Sequence, residues 1–197
     1  MIGIIDYKVV NLFSIENAIR KITDKVIVSS CPDDLREVDG LIFPGVGSFD
    51  HGMNALEGLG LDIFIQEKAK ENTPILGICM GMQLLFSYGH EGLGRSGLGI
   101  LKGSVEKLSS NKNSRVPHMG WNNVYGYEAD CKLFSGIQHN SSFYFVHSYH
   151  ATVENQENCI YTDFYGSDIV AGISQNNIYG VQFHPEKSQD AGMKLLR

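Results

Sequence analysis

Cys79 ends a short apolar run, Ile75 to Ile78, with Gly77 two residues before it and Gly81 two after. Met82, Leu84, Leu85 and Phe86 then read as the start of a helix. A buried strand that turns at once into a helix, with a nucleophile at the corner, is a nucleophile elbow. Here a thiol stands where many such corners carry a serine hydroxyl. The corner is crowded and strained, and a Cβ beside it would clash, hence the glycines. The N-terminus of the following helix would favour the reactive thiolate. The backbone N–H of Met80 would face an oxyanion formed beside the sulfur. A buried structural cysteine fits the same run, so a second segment has to decide.

That segment is Tyr179 to Ser188. Tyr179, Val181 and Phe183 alternate with Gly180, Gln182 and His184, which is strand periodicity. His184 and Glu186 are two apart and share a face in an extended chain. Pro185 between them cannot donate to a ladder, which puts the pair at a strand end or edge. A nucleophile, a base and a carboxylate that orients the base make a generalised catalytic triad. A surface ion pair would carry the same two residues.

The elements that must position these groups alternate in type. Ile2 to Ile5, Val26 to Ser29 and Val38 to Phe43 read as strands. Asn11 can cap a helix whose apolar stripe is Leu12, Ile15, Ala18, Ile19 and Ile22. Ser48 to Leu56 and Leu61 to Ala69 read as further helices. Strands separated by helices imply a parallel sheet covered on both faces, with ligands beyond the carboxyl ends of the strands. Both Cys79 and the tight turn Pro44 to Gly47 follow strand ends, so they can share a cleft. Gly89 to Gly103 is glycine-rich but lacks the Gly-Lys-Ser/Thr ending of a phosphate-binding loop. It reads as a mobile loop leading into a strand. Asn111 to Ser114 is a polar turn. From about Val105 to Gln182 β-branched and aromatic residues prevail, so an antiparallel or mixed extension of the sheet is expected. A final helix over Ser188 to Leu196 would be capped by Ser188, with Met193 and Leu196 inward.

The chain has 197 residues, 43% hydrophobic and 19% charged, which suits one soluble domain with a sizeable core. A net charge of −6 argues against nucleic acid as a partner. No apolar run reaches the roughly 18 residues of a membrane span. The opening Met-Ile-Gly-Ile-Ile-Asp has no basic region or cleavage site and reads as a strand. Cys31, Cys79, Cys131 and Cys159 are scattered, without metal-site spacing, which argues for a reducing cytoplasm.

Gly-Ile-Cys-Met-Gly-Met-Gln at 77–83 with Phe-His-Pro-Glu-Lys-Ser at 183–188 resembles the class I, triad-type glutamine amidotransferases. Tyr-Phe-Val-His-Ser-Tyr at 144–149 and Pro-His-Met-Gly-Trp-Asn at 117–122 are similar to the glutaminase subunits of imidazole glycerol phosphate synthases. The resemblance runs from Asp6 to Ser188. It implies an α/β, single-domain class I glutamine amidotransferase fold over 1–197, with a central, mostly parallel or mixed sheet and helices on both faces.

It also implies roles. Cys79, His184 and Glu186 would hydrolyse L-glutamine to glutamate and ammonia through a thioester, with Val46, Gly47 and Met80 supplying oxyanion donors. Gln83 and the backbone around His147, Ser148 and Tyr149 would hold glutamine. Neither metal nor organic cofactor is implied. Ammonia would pass to a barrel-shaped cyclase subunit in a heterodimer that makes imidazole glycerol phosphate and an aminoimidazole carboxamide ribonucleotide. Tyr7, Asn11, Trp121, Tyr144 and Lys187 would face that partner. Trp121 suits an interface anchor or a core position equally.

One departure stands out. The family usually reads Asp-Tyr-Gly-x-Gly-Asn near its start, and this chain reads Asp6-Tyr7-Lys8-Val9-Val10-Asn11. Lys8 and Val10 discourage the positive φ that glycine permits. Two other readings follow: a paralogue feeding ammonia to a different synthase, such as one amidating a surface-sugar precursor, and a non-catalytic binding subunit.

Overall fold

The computed structural model describes residues 1–8, 12–110, 115–127, 131–157 and 159–197. The elements run, in chain order, β1 (Ile2–Ile5), α1 (Leu12–Arg20), β2 (Val26–Ser29), β3 (Gly40–Gly45), α2 (Phe49–Leu59), α3 (Leu61–Lys70), β4 (Ile75–Cys79) and α4 (Met80–Leu84). Then follow β5 (Phe86–Gly89), β6 (Arg95–Ser96), β7 (Leu101–Lys107), β8 (His118–Tyr125), β9 (Ser142–His147), β10 (Tyr149–Val153), β11 (Cys159–Asp163), β12 (Asp168–Gln175), β13 (Ile178–Val181) and α5 (Gln189–Leu195).

A large sheet has the order β2-β1-β3-β4-β13-β12-β11-β8-β9. From β2 to β13 the strands are parallel; from β13 onward every pairing is antiparallel. The alternation expected of a sheet buried on both faces is explicit in β3. Leu41 and Phe43 point into a core shared with α2, α3 and α4, and Ile42 points into one shared with α1 and α5. Helix α1 buries Ile15, Ala18 and Ile19.

Several expectations need correction. The helix after Cys79 is short: Phe86 already begins β5, which belongs to a second sheet ordered β10-β7-β5-β6. The second half of the chain therefore does more than extend the main sheet. Gly89 to Gly103 is no plain loop, because it carries β6 and enters β7. Phe86, Leu101, Val105 and Ala151 of this sheet pack into the core of the α2–α3 side, which is the apolar burial that holds it there. The third strand starts at Gly40 rather than Val38. Ser188 does not cap α5 with its side chain, and that helix buries Gly192 and Leu195 instead of Met193 and Leu196. The expected cap at Asn11 and the polar turn 111–114 lie outside the described residues.

Lys8 reverses the reasoning from its lost glycine. Its φ is 67°, the left-handed conformation itself. The side chain of Asp6 holds it there, accepting the Lys8 N–H at 3.0 Å and the ammonium at 2.6 Å. Such a φ costs a non-glycine residue about 1–2 kcal/mol, which these bonds offset. Val10 lies outside the described residues.

Candidate active site

Strand register assembles the site. Because β3 and β4 are parallel, Gly45 lies opposite Cys79, and the turn after β3 sits beside the thiol. Because β13 pairs with β4 from the other side, Val181 lies opposite Ile78 and residues 182–184 leave the sheet next to Cys79.

Cys79 itself has φ 54° and ψ −110°, a strained corner between β4 and α4. Backbone in such regions costs about 1–3 kcal/mol and persists only where the surroundings impose it. They do so through close approach. A Cβ at Gly81 would overlap the Phe43 carbonyl oxygen, and one at Gly77 would lie 2.7 Å from the Met82 Cα. The two glycines let α4 press against the strand ends directly after the thiol.

His184 and Glu186 meet as expected, but not through extended chain. Strand β13 stops at Val181, and Pro185–Lys187 forms a 3-10 turn that brings His184 Nδ1 within 2.8 Å of Glu186 Oε1. Both side chains are buried, so the pair is no surface ion pair. Burial opposes a charged imidazole, yet hydrogen bonding and charge from Cys79 and Glu186 outweigh it and push the His184 pKa up to about 10. Nδ1 is committed to the carboxylate, which leaves the buried Nε2 as the nitrogen available to Cys79 and to a substrate. The turn is pinned by Ser188, whose Oγ accepts the Tyr144 N–H at 3.0 Å and donates to the His184 carbonyl at 2.6 Å.

A cavity of about 440 Å³ brings Cys79, His184, Met80, Val46, Gly47, Gln83, His147, Ser148 and Tyr149 together, within the usual range for a small-molecule site. Glu91, Pro117 and Val146 also line it and were not foreseen. Glu91 comes from the glycine-rich segment, and its carboxylate accepts the Phe49 N–H at 2.7 Å. Gln182 was missed too. Fully buried, it donates from Nε2 to the Cys79 sulfur at 3.7 Å and accepts at Oε1 from Gln83 Nε2 at 2.9 Å. Its place on the His184 side of the strand alternation was a signal for it.

The residues assigned to a partner face divide. Trp121 is 49% exposed and stands edge-on to Tyr144, ring centroids 6.1 Å apart; it is not a core tryptophan. Lys187 is exposed. Tyr7 is not at the surface. It is fully buried beside Phe43, and its pKa lies above the usual phenol range because of burial and the nearby Cys79 charge. Tyr7 lies just beyond β1, with its hydroxyl against Gly45 at the end of β3, so its side chain fills the core. Asn11 lies outside the described residues. Among the described residues no cluster of three or more His, Cys, Asp or Glu could hold a metal, and no helix is long and apolar enough to cross a membrane.

Such a site can do nucleophilic acyl chemistry: a thiol at a strained corner, an imidazole anchored by a carboxylate, and backbone N–H groups beside the sulfur. The family model for class-I glutamine amidotransferases matches residues 3–197. The imidazole glycerol phosphate synthase subunit HisH 2 of Methanococcus maripaludis is 45% identical over all of this chain and 96% of its own length. The HisH subunit of Methanocaldococcus jannaschii gives the same identity and coverage. Among solved structures, PurLQS from Thermotoga maritima superposes with a TM-score of 0.73 over 98% of this chain and 94% of that one, at 18% identity, a likeness of fold. With end-to-end matches to both the family model and the HisH subunits, this chain belongs to the class-I glutamine amidotransferase family, in its imidazole glycerol phosphate synthase subunit branch.

Proposed function

We propose that residues 1–197 act as one cytoplasmic glutaminase domain that splits L-glutamine into glutamate and ammonia and delivers the ammonia to a cyclase subunit. The observation that carries this reading is that Cys79 and His184, the latter anchored by Glu186, line one cavity. The Cys79 thiolate attacks the side-chain amide carbon of glutamine. Backbone N–H groups of Met80 and of the Val46-Gly47 turn hold the tetrahedral oxyanion, each donor lowering the barrier by about 3–4 kcal/mol. His184 Nε2–H protonates the departing nitrogen, which leaves as ammonia. His184 then takes a proton from water, which attacks the thioester and frees glutamate. Glu186 keeps Nδ1 protonated throughout. Gln83 and the backbone at His147, Ser148 and Tyr149 hold the substrate, and the Glu91 carboxylate suits its α-ammonium group.

The partner is a barrel-shaped cyclase in a heterodimer, where ammonia cleaves and cyclises a nucleotide to imidazole glycerol phosphate and the aminoimidazole carboxamide ribonucleotide. Trp121, Tyr144 and Lys187 are the contact residues. Glutamate release is measured for the chain alone and then with the histidine-pathway cyclase of the same cell and its nucleotide ligand. Strong stimulation is expected, and none with Cys79→Ala. No stimulation, with Cys79 still alkylated by a glutamine-analogue electrophile, would direct the ammonia to another synthase. The Lys8 φ of 67° speaks against that outcome, since the backbone keeps the conformation a glycine would take.

A further inference from the structure

Two buried histidines beside the glutamine cavity form a chain whose hydrogens can be assigned from both ends. His147 Nδ1 lies 2.8 Å from the Tyr149 carbonyl oxygen. A carbonyl only accepts, so Nδ1 carries a hydrogen. Burial keeps His147 neutral, so its Nε2 offers a lone pair. Facing it at 2.9 Å is His118 Nδ1, which must donate. His118 is also held neutral by burial, so its Nε2 accepts, and Asn122 Nδ2 stands 3.2 Å away. The Asn122 amide is oriented independently of the histidines. Its Nδ2 donates to the Asp163 carbonyl at 2.6 Å, and its Oδ1 accepts the Asn123 N–H at 2.8 Å. Both ends therefore demand the same direction of donation, inward from Asn122 to Tyr149.

The Tyr149 carbonyl is where this chain meets the nucleophile. It also accepts from Gln83 Nε2 at 2.8 Å. The same Nε2 donates to Gln182 Oε1, and Gln182 Nε2 donates to the Cys79 sulfur. If His147 took the other tautomer, its Nδ1 lone pair would face the Tyr149 carbonyl oxygen. Two acceptors repel at that distance, the carbonyl would turn, and Gln83 would lose one of its two anchors. Neither His118 nor Asn122 lines the cavity.

We propose that His118 and Asn122 are positioning residues for the glutaminase reaction: they lock His147 in its Nδ1–H tautomer and thereby hold the Tyr149 carbonyl, Gln83 and Gln182 in register with glutamine and the Cys79 sulfur. This rests on the glutaminase reading of the cavity. It places part of the specificity machinery on β8, at the floor of an outer pocket of about 600 Å³ bounded by Trp121, Asp163 and Tyr165.

The test uses the full chain and a diazoketone analogue of glutamine that alkylates Cys79. The readouts are its half-saturating concentration and the His147 tautomer from two-bond nitrogen–proton NMR correlations. In His118→Leu the donor is gone and His147 Nε2 is left without its partner; the half-saturating concentration should rise about tenfold, and the His147 Nε2 resonance should move to that of a nitrogen that accepts no hydrogen bond. In His118→Asn the amide Nδ2 stands where Nδ1 stood; tautomer and half-saturation should stay within about threefold of wild type. Loss in both variants alike would overturn the proposal, leaving His118 only its packing against Phe145 and Phe164. So would wild-type values in His118→Leu. Should His118→Leu not fold, Asn122→Ala at the exposed end replaces it: a mixed tautomer with about threefold weaker half-saturation supports the lock, and an unchanged tautomer overturns it. A wild-type chain that is not alkylated at Cys79 overturns the glutaminase reading and this proposal with it, whereas alkylation with an unlocked tautomer overturns this proposal alone.

Discussion

A neutral, buried His147 makes the fold sensitive to acid within a definable window. Its pKa falls from an ordinary 6.5 to about 3, chiefly through burial, with the charges of His118, His150 and His184 adding to it and the Tyr149 carbonyl opposing. A depressed group contributes stability that is present above its unfolded pKa. As pH drops below 6.5 the unfolded chain takes up a proton that the folded chain refuses, and the loss is complete near pH 3. At 1.36 kcal/mol per unit this amounts to about 2 kcal/mol between pH 7 and pH 5 and about 4 kcal/mol by pH 3. His184 works the other way. Raised to about 10, it contributes fully below 6.5 and loses its contribution as pH climbs toward 10, so it regains only about 1 kcal/mol over the same acid step. Urea unfolding at pH 7 and pH 5, on wild type and His147→Gln, isolates the first effect, because His184 and the carboxylates are common to both proteins. Wild type should lose about 2 kcal/mol more than the variant. Parallel losses would mean that His147 is not held neutral in the fold, and the hydrogen assignment along His118 and His147 would fall with it.

The elbow can be tested by packing. Gly81→Ala should cost at least about 2 kcal/mol in urea unfolding, since its Cβ would overlap the Phe43 carbonyl oxygen, whereas Gly58→Ala, with nothing within 4 Å, should be neutral or slightly stabilising. Equal stabilities would remove the close-approach argument. Glu186→Gln keeps an acceptor for His184 Nδ1 but loses the charge that helps hold the imidazolium. The His184 pKa should fall from about 10, and Cys79 alkylation at neutral pH should slow about tenfold or more. An unchanged pH profile would show that the carboxylate does not govern the imidazole.

Much of the site was legible because its signals are local. The Ile75–Ile78 run with Cys79 and its flanking glycines specifies a strand-to-helix corner from nearest-neighbour sterics alone. The His184-Pro185-Glu186 spacing brings base and carboxylate together whether the chain is extended or, as found, in a 3-10 turn. Strands β1 and β2 are short, mostly apolar runs that give way to polar residues, and their limits follow the sequence reading to the residue. The errors fall where a short apolar run suits either period. Leu84, Leu85 and Phe86 fit a helical stripe, but Phe86 pairs with Leu101 in β7, and a helix there would forfeit that ladder.

What the sequence by itself determined is therefore the chemistry: a thiol, an imidazole and a carboxylate in elements that expose them at strand ends. What only the tertiary structure decided is which distant residues surround them. The register of β3 and β13 against β4 brings Gly45 and Gln182 to Cys79. The entry of Tyr7 into the core and the left-handed turn at Lys8 depend on what packs around them. The line of hydrogen bonds from Asn122 to Tyr149 depends on β8 lying antiparallel to β9, with His118 opposite His147. The physical reason is range. Steric and periodic preferences act over a few residues and leave their mark in the local sequence. Strand register and the pairing of buried polar groups are set by packing between segments far apart in the chain.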